Sequence, residues 1–436
     1  MLVENQLKNH LDDFKTKLAY LELQNARPDY YWRLAFWNSV DGITPQIVSY
    51  ERNEGTFDSG YLSHKWHSFP AKFYPQLVRA LMNICSVESD YLTYDPYAGC
   101  GTSAVEAKVM GMNYIGIDVS KLAVLISQAK VDLDIDVSKI REEKDSLVHT
   151  FRSGSNYSWA YTDFELKWYN KYNRSQVKLL AYLVLRMQDE RVRKLFEVAL
   201  SSILRRVGNT KPGQIETRHQ FRREKQDMLK LFVSKLDSMV TDIERYQARG
   251  RTNCSIMIEE KDASSYLPEQ QVDFIITSPP YGNGLDYSKI HMLSIALLFG
   301  EEEVSRFKRS QTGTMNNAPS SILDTSFTSI GSDVIAELEK MDIVKAKAMS
   351  KYYVDMKHSI QKMFDSLKPD RFAVILVGPT KVNNTQVPND DVLRQIGEHV
   401  GFRAEKTISW TYDKLRRSGL EHKIKGESII ILKKPR

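Results

Sequence analysis

The chain of 436 residues exceeds the roughly 250–300 at which a single hydrophobic core stops growing, and its 42% hydrophobic and 27% charged residues are those of an ordinary soluble globular protein. Collagen-like, disordered and disulfide-scaffold classes are excluded, because the three cysteines, Cys85, Cys100 and Cys254, lie far apart with no C-x-x-C pair. The net charge of +6 comes from 61 basic against 55 acidic residues, no run of about 18 apolar residues occurs, and the start MLVENQLKNH lacks the apolar core of a signal peptide, so a cytoplasmic protein is expected.

Residues 1–60 are expected to form an N-terminal helix and a connector. Leu7, Leu11, Phe14, Leu18 and Leu21 recur at spacings of three or four, which describes one amphipathic helix, and residues 26–60 lack periodicity. From Phe69 the pattern predicts a helix (74–84), a strand (91–94), a Gly-rich turn, a helix (103–110) and a strand (114–117). Such alternation indicates a parallel, doubly wound, Rossmann-like α/β sheet. Between 137 and 251 the alternation gives way to long helical patterns, a large insertion. Strand patterns then resume at 272–277, 371–378, 402–410 and 428–434, with a helical stretch over 349–367 and a Ser/Thr/Gly/Asn-rich loop over 308–335. The α/β domain is therefore expected to comprise 61–136 and 252–436, with 137–251 as a basic helical insertion.

Charge is unevenly distributed. From Lys139 to Arg251 there are 24 basic and 14 acidic residues, net +10, which leaves 37 and 41 elsewhere. Arg205, Arg206, Lys211, Arg218, Arg222, Arg223 and Lys225 cluster within that stretch, and they suit either a polyanion such as double-stranded DNA or a solvated helix face.

Two motifs carry the chemistry. In DPYAGCGTSAVEA (95–107), Gly99 and Gly101 sit where a strand gives way to a helix, so the backbone can turn tightly against a ligand. Asp118 closes the next strand, where a carboxylate accepts hydrogen bonds from ribose hydroxyls. The phosphate-loop Gly-Lys-Ser/Thr is absent and G-x-G-x-x-G is broken at Val105 and Glu106, which favours a nucleoside without a pyrophosphate. In TSPPY (277–281), Pro279 and Pro280 fix φ and remove amide donors, leaving carbonyls to project beside Ser278 and Tyr281. Such a site holds a planar amino group: its two N–H groups donate to Ser278 Oγ and the Pro279 carbonyl, pyramidalising the nitrogen, while Tyr281 stacks on an extruded base.

With these motifs the chain resembles the amino-methyltransferases of DNA that use S-adenosyl-L-methionine (SAM) to modify N4 of cytosine or N6 of adenine. DPYAGCGT is similar to that family's D-P-F-x-G-x-G-T cofactor motif, with Tyr97 for the usual Phe and Thr102 closing it; TSPPY resembles its (D/N/S)-P-P-Y catalytic motif, preceded by Thr277. HSFPAKFYPQLVRALM (67–82) resembles the preceding family segment, which implies that Phe69 and Pro70 lie against the methionine end of the cofactor. The resemblance further implies that Asp95 belongs to the cofactor site and that Asp262 contacts the adenine amino group. It covers 61–135 and 252–436. The insertion falls before Asp262 and not beside the catalytic motif, so its role in reading DNA rests on charge alone.

Ser278, in place of Asp or Asn, favours cytosine N4. The alternatives are adenine N6, guanine N2 of RNA, and a catalytically silent DNA-binding subunit. No Pro-Cys pair supports cytosine C5 chemistry, and nine histidines without metal-ligand spacing point to no metal. Asp286 and Tyr287 are candidates either for the base pocket or for a helix cap. A restriction nuclease or other defence component is a possible partner.

Overall fold

The computed structural model describes residues 60–154, 159–221, 224–248, 253–282, 284–313, 328–382, 385–411 and 426–436. The expected N-terminal helix and connector, Gly60 excepted, lie outside these residues, as do Arg222 and Arg223. A 3-10 turn (Leu62–Lys65) leads to α1 (Pro75–Ile84), which opens with proline at its first position, where no amide donor is required. β1 (Leu92–Asp95), α2 (Thr102–Met110), β2 (Asn113–Asp118) and α3 (Lys121–Val131) follow.

The next helices are α4 (Val137–Arg152), α5 (Asp163–Trp168), α6 (Lys171–Leu185), α7 (Glu190–Val207) and α8 (Met228–Gln247). Periodicity over 176–207 reads as one long helix. The chain breaks there after Leu185, and Asp189 starts α7 by accepting from the amides of Arg191 and Val192. β3 (Ile256–Glu260) escaped the sequence reading; only three apolar residues precede its two glutamates.

β4 (Val272–Thr277) matches its expected bounds. It leads into α9 (Tyr287–Ile290), α10 (Met292–Phe299), α11 (Glu301–Ser310), α12 (Ser329–Met341) and α13 (Ile343–Ser366). The loop expected over 308–335 is thus helical at both margins. β5 (Leu367–Val377), the short pair β6 (Thr380–Val382) and β7 (Thr385–Val387), α14 (Asn389–Val400), β8 (Arg403–Thr411) and β9 (Gly426–Lys433) complete the chain.

The sheet order is β3-β2-β1-β4-β5-β9-β8. The first five strands are parallel, β9 runs antiparallel to β5, and β8 is antiparallel to β9. Successive buried residues of the central strands face opposite sides of the sheet. Ile275, Ile430 and Leu432 face the core under α12–α14, whereas Phe274, Ile276, Ile429 and Ile431 face the core under α1 and α2. With both faces covered, these strands read as continuous apolar runs. Successive strands step outward from β1 to β3 and then return to β4 on the other side. The switch point therefore lies between β1 and β4, which is where an open α/β sheet leaves a crevice at its carboxyl edge.

The helices between β2 and β3 do not enclose a core of their own. Phe196, Leu200, Phe232 and Met239 belong to one continuous buried cluster with Val105 of α2, Leu122 and Ile126 of α3, and Leu293 and Phe307 after β4. The insertion is thus packed on the helices that flank the sheet, next to the elements that follow TSPPY.

Candidate active site

A cleft opens at the carboxyl ends of β1, β2 and β4, and residues of both motifs line it, Gly99 and Asp118 on one side and Ser278 to Tyr281 on the other. A wider groove follows the outer edge of β3 past Gln128, Asp132 and Arg191, but it holds none of the motif residues.

The turn after β1 is built by hydrogen bonds to its own backbone. Gly99, at φ +51°, donates its amide to Asp118 Oδ2 at 3.0 Å, and its carbonyl accepts from Ser127 Oγ at 2.7 Å. The Lys130 ammonium, buried and held to a lowered pKa by that burial, donates to the Cys100 carbonyl at 3.0 Å. Asp118 also accepts from the Ser120 amide at 2.9 Å. Burial outweighs these bonds and raises its carboxyl to about 6. It lines the cleft with Tyr97, Thr102 and Phe69. Asp262 is exposed at the rim, its Oδ1 accepting from the Ser264 amide and hydroxyl at 2.8 and 2.7 Å.

Four expected cofactor residues stand behind the wall instead of lining it. Asp95 is almost wholly buried, and its oxygens accept from the Tyr97 amide (3.0 Å), Thr277 Oγ1 (2.7 Å) and Ser103 Oγ. Burial raises its carboxyl to about 6. A carboxylate so committed braces the strand ends, and Thr277, fully buried, is its partner. Gly101, at φ +77°, starts α2, and a Cβ there would meet Ser127 Cβ at 2.9 Å and its Cα at 3.0 Å. Its requirement is helix packing. Pro70 contributes its carbonyl as acceptor for Tyr287 Oη at 3.4 Å.

Phe69 stacks on both Tyr287, with ring centroids 5.3 Å apart, and His291, at 4.8 Å, whose own rings lie 6.4 Å from each other. His291 is buried and its pKa is pushed down to about 3 by burial and by Arg205. His64 is likewise buried, lowered to about 4 by desolvation, and bonded to Glu106 Oε1 at 2.9 Å. Both histidines are structural here. Among the described residues no group of three His, Cys, Asp or Glu is arranged to hold a metal ion.

On the opposite wall, Tyr281 Oη donates to Glu427 Oε1 at 3.2 Å, which ties the TSPPY loop to the start of β9. Asp286 caps α9, accepting from the amides of Ser288 (3.1 Å) and Lys289 (3.3 Å), while Tyr287 faces the cleft. Sequence reasoning missed Lys72 and Gln311. Lys72 lines the cleft and donates to the His64 carbonyl at 3.1 Å; Gln311 Oε1 accepts the Tyr287 amide at 3.0 Å. Lys72 sits inside HSFPAKF and was within reach of the motif reading. Gln311 lies in a polar stretch with no local signal.

The residues expected to bind DNA divide. Arg205 is half-buried, has its pKa lowered by that burial, and donates to the Gln214 carbonyl at 2.6 Å, so it supports a loop from below. Arg206, Lys211, Arg218 and Lys225 are exposed. Lys211, Arg218 and Lys225 form no ion pair among the described residues, whereas Lys139, Arg141, Lys144, Lys178 and Arg191 of the insertion helices are each paired with a carboxylate. Lys211, Arg218 and Lys225 thus present exposed charge on the segment between α7 and α8. There Lys211 N donates to Arg218 O at 2.8 Å and Gln220 N to Asn209 O at 2.9 Å, forming a hairpin. Thr217 Oγ1 pins the hairpin to Ile290 O at 2.8 Å, at the end of α9.

Residues 3–129 match the model of a family described as DNA methylase. The chain is 23% identical over 370 residues to the Type II methyltransferase M.MvaI of Kocuria varians, covering 77% of this chain and 81% of that one. It is 23% identical over 431 residues to the Type II methyltransferase M.BsoBI of Geobacillus stearothermophilus, covering 83% and 82%. Among solved structures, the rRNA methyltransferase aviRa of Streptomyces viridochromogenes aligns over 84% of this chain and 88% of its own, with 10% identity and a TM-score of 0.30.

Proposed function

We propose that the chain is a SAM-dependent amino-methyltransferase of DNA and that it methylates N4 of a cytosine drawn out of the duplex, a reading supported by its similarity to a DNA methylase family and to Type II methyltransferases. The observation that supports this reading best is the shared cleft: the Gly99 turn and Asp118 form one wall, and Ser278, Pro279 and Tyr281 the other.

The cleft's chemistry fits the cofactor. Asp118 supplies a carboxylate for ribose hydroxyls, Asp262 an acceptor for an adenine amino group, and Phe69 and Tyr97 apolar surface, while nothing in the Gly99 turn is built for a phosphate. SAM, when bound, supplies an electrophilic methyl group. Asp118, Asp262, Tyr97 and Phe69 would hold it, with Lys72 as a cation in the same lining.

The chain's own task is to make a poor nucleophile reactive. An exocyclic amine shares its lone pair with the ring and is planar. Ser278 Oγ and the Pro279 carbonyl accept its two N–H bonds out of that plane and free the lone pair, and Tyr281 holds the base by stacking. The bond from Tyr281 to Glu427 limits rotation of that ring. Serine at 278 is neutral and compact, which favours cytosine. Neutral acceptors of the same kind also serve adenine N6, and that product is the alternative outcome of the test.

The hairpin between α7 and α8 supplies the phosphate contacts in this reading, since Lys211 and Arg218 are exposed and form no ion pair among the described residues, and Thr217 fixes the hairpin to the helix after TSPPY. Nucleoside mass spectrometry of DNA from cells expressing the protein decides the product. N4-methylcytosine is expected, N6-methyladenine would revise the base, and methylated tRNA without methylated DNA in a tritiated-SAM assay would overturn the reading.

A further inference from the structure

Phe221 is 65% exposed, more than any other large apolar side chain among the described residues. It is not on a loose loop. The hairpin that ends at Phe221 is anchored at its base by Asn209 N to Trp168 O at 2.7 Å and along its return arm by His219 Nε2, which donates to Lys167 O at 3.1 Å. Thr217 fixes it to Ile290, and Arg205 braces Gln214 from below. Its surroundings are cationic and aromatic: Lys211 and Arg218 are exposed, and Lys225 Nζ lies 5.0 Å from the centroid of the half-exposed Tyr172 ring.

A rigid basic hairpin has no folding reason to present a phenyl ring to water. Cations alone satisfy phosphates, whereas an apolar ring beside them suits the interior of a base stack. Position supports the same occupant. Phe221 is four residues from Thr217, at most about 14 Å along an extended chain, and Thr217 is bonded to the helix whose Tyr287 lines the cleft.

We propose that Phe221 enters the DNA base stack beside the target nucleotide and takes the stacking place that the extruded base leaves. This rests on the reading that the protein methylates an extruded base. Extrusion costs unstacking and unpairing, least where the base is already mispaired, so a side chain that fills the gap matters most for a matched duplex.

The positions methylated by the full-length protein are first mapped in unmodified duplex DNA. Single-turnover rates are then measured for the wild type, F221A and F221W on a matched duplex and on one whose target base is mispaired. F221A is expected to lose about tenfold or more on the matched duplex, in line with the removal of one base–aromatic stack, and to regain most of the wild-type rate on the mispaired one. F221W should stay close to the wild type, and the salt dependence of binding should not move because no charge is removed. An unchanged F221A rate on matched DNA, or an equal loss on both duplexes, would overturn the inference while leaving the methyltransferase reading intact. No methylation of any DNA by the wild type would overturn that reading, and the inference with it.

Discussion

Thr277 Oγ1 donates to Asp95 Oδ1 at 2.7 Å, joining the last residue of β4 to the last residue of β1 across the switch point of the sheet. The cofactor turn and the catalytic motif begin at these two residues, so one buried hydrogen bond sets the spacing between the walls of the cleft. A hydrogen bond to a charged acceptor contributes about 1.5–3 kcal/mol. T277V is therefore expected to lower the melting temperature and to weaken SAM affinity and turnover together, whereas T277S, which keeps the hydroxyl, should restore both. Calorimetry and single-turnover assays on the two variants check this, and a T277V protein deficient in only one of the two functions would show that the bond does not couple the walls.

In the proposed function, the raised carboxyl of Asp118 would make cofactor binding depend on pH. At about 6, against an ordinary 3.8, it is ionised at pH 7.5 and protonates as the pH falls through 6. The protonated acid loses acceptor capacity for ribose hydroxyls, so SAM affinity should fall as pH drops from 7.5 to 5. Folding stability responds with the opposite sign. Asp95 and Asp118 bind protons more tightly folded than unfolded, so their contribution is most favourable below about 4 and is lost as pH rises through 6. D118N should bring the neutral-pH affinity down to the acid level. An affinity flat across this range would remove Asp118 from the site.

Ser278 and Tyr281 act on the base in the proposed function, not on the cofactor. S278A and Y281A are expected to cut the single-turnover rate about 10²-fold, the usual scale for a positioned polar group, with SAM affinity changed little. Y281F keeps the stacking surface while losing the bond to Glu427, so it should retain most of the rate. Normal rates for S278A and Y281A would contradict the role given to TSPPY.

How far the sequence reached depends on whether the signal was local. β4 was read to the residue because VDFIIT is an unbroken apolar run ended by polar residues, and α2 was read to within one residue because glycines flank it. β3 was missed, since a five-residue edge strand that ends in two glutamates looks like neither an amphipathic nor a buried strand. The motifs brought Gly99, Asp118 and Ser278 to one cleft. They could not tell lining from bracing, because the burial of Asp95, Gly101 and Thr277 depends on partners up to 182 residues away. The same limit applied to charge: composition located the basic third of the chain, but only the structure separates Lys139, Lys144 and Lys178, each paired with a carboxylate, from Lys211 and Arg218, which form no ion pair among the described residues.

Glu106 of α2 is fully buried and binds Arg79 Nη2 of α1 at 2.7 Å and His64 Nε2 at 2.9 Å. Burial alone would raise its pKa; Arg79, His64 and Tyr61 together hold it lowered. These bonds clamp α1 and the turn at 62–65 onto the helix that starts at the cofactor loop. E106A would leave the Arg79 guanidinium buried without its counter-charge, a loss on the order of 3–5 kcal/mol. E106Q, which keeps hydrogen-bonding atoms, should lose less. Denaturant unfolding of both variants tests the clamp, and an E106A protein as stable as the wild type would show that water replaces the carboxylate.

The unpaired cations of the hairpin give the sharpest test of where DNA is held. Removing one cation from a phosphate should flatten the log–log dependence of affinity on salt by about 0.9. Replacing Lys211, Arg218 and Lys225 together by Gln is expected to weaken DNA binding and reduce that slope by up to about 2.7, without altering SAM affinity. Lys139 and Arg191 provide the internal comparison, because each already faces an aspartate, Asp189 and Asp132. Their replacement by Gln should leave the slope nearly unchanged, although the same sequence segment loses the same kind of charge. R205A should weaken binding with little change of slope, since Arg205 acts by bracing Gln214 and not as a free cation. If the hairpin triple variant keeps the wild-type slope while methylation persists, these residues form a solvated face and the DNA-holding surface lies elsewhere on the chain.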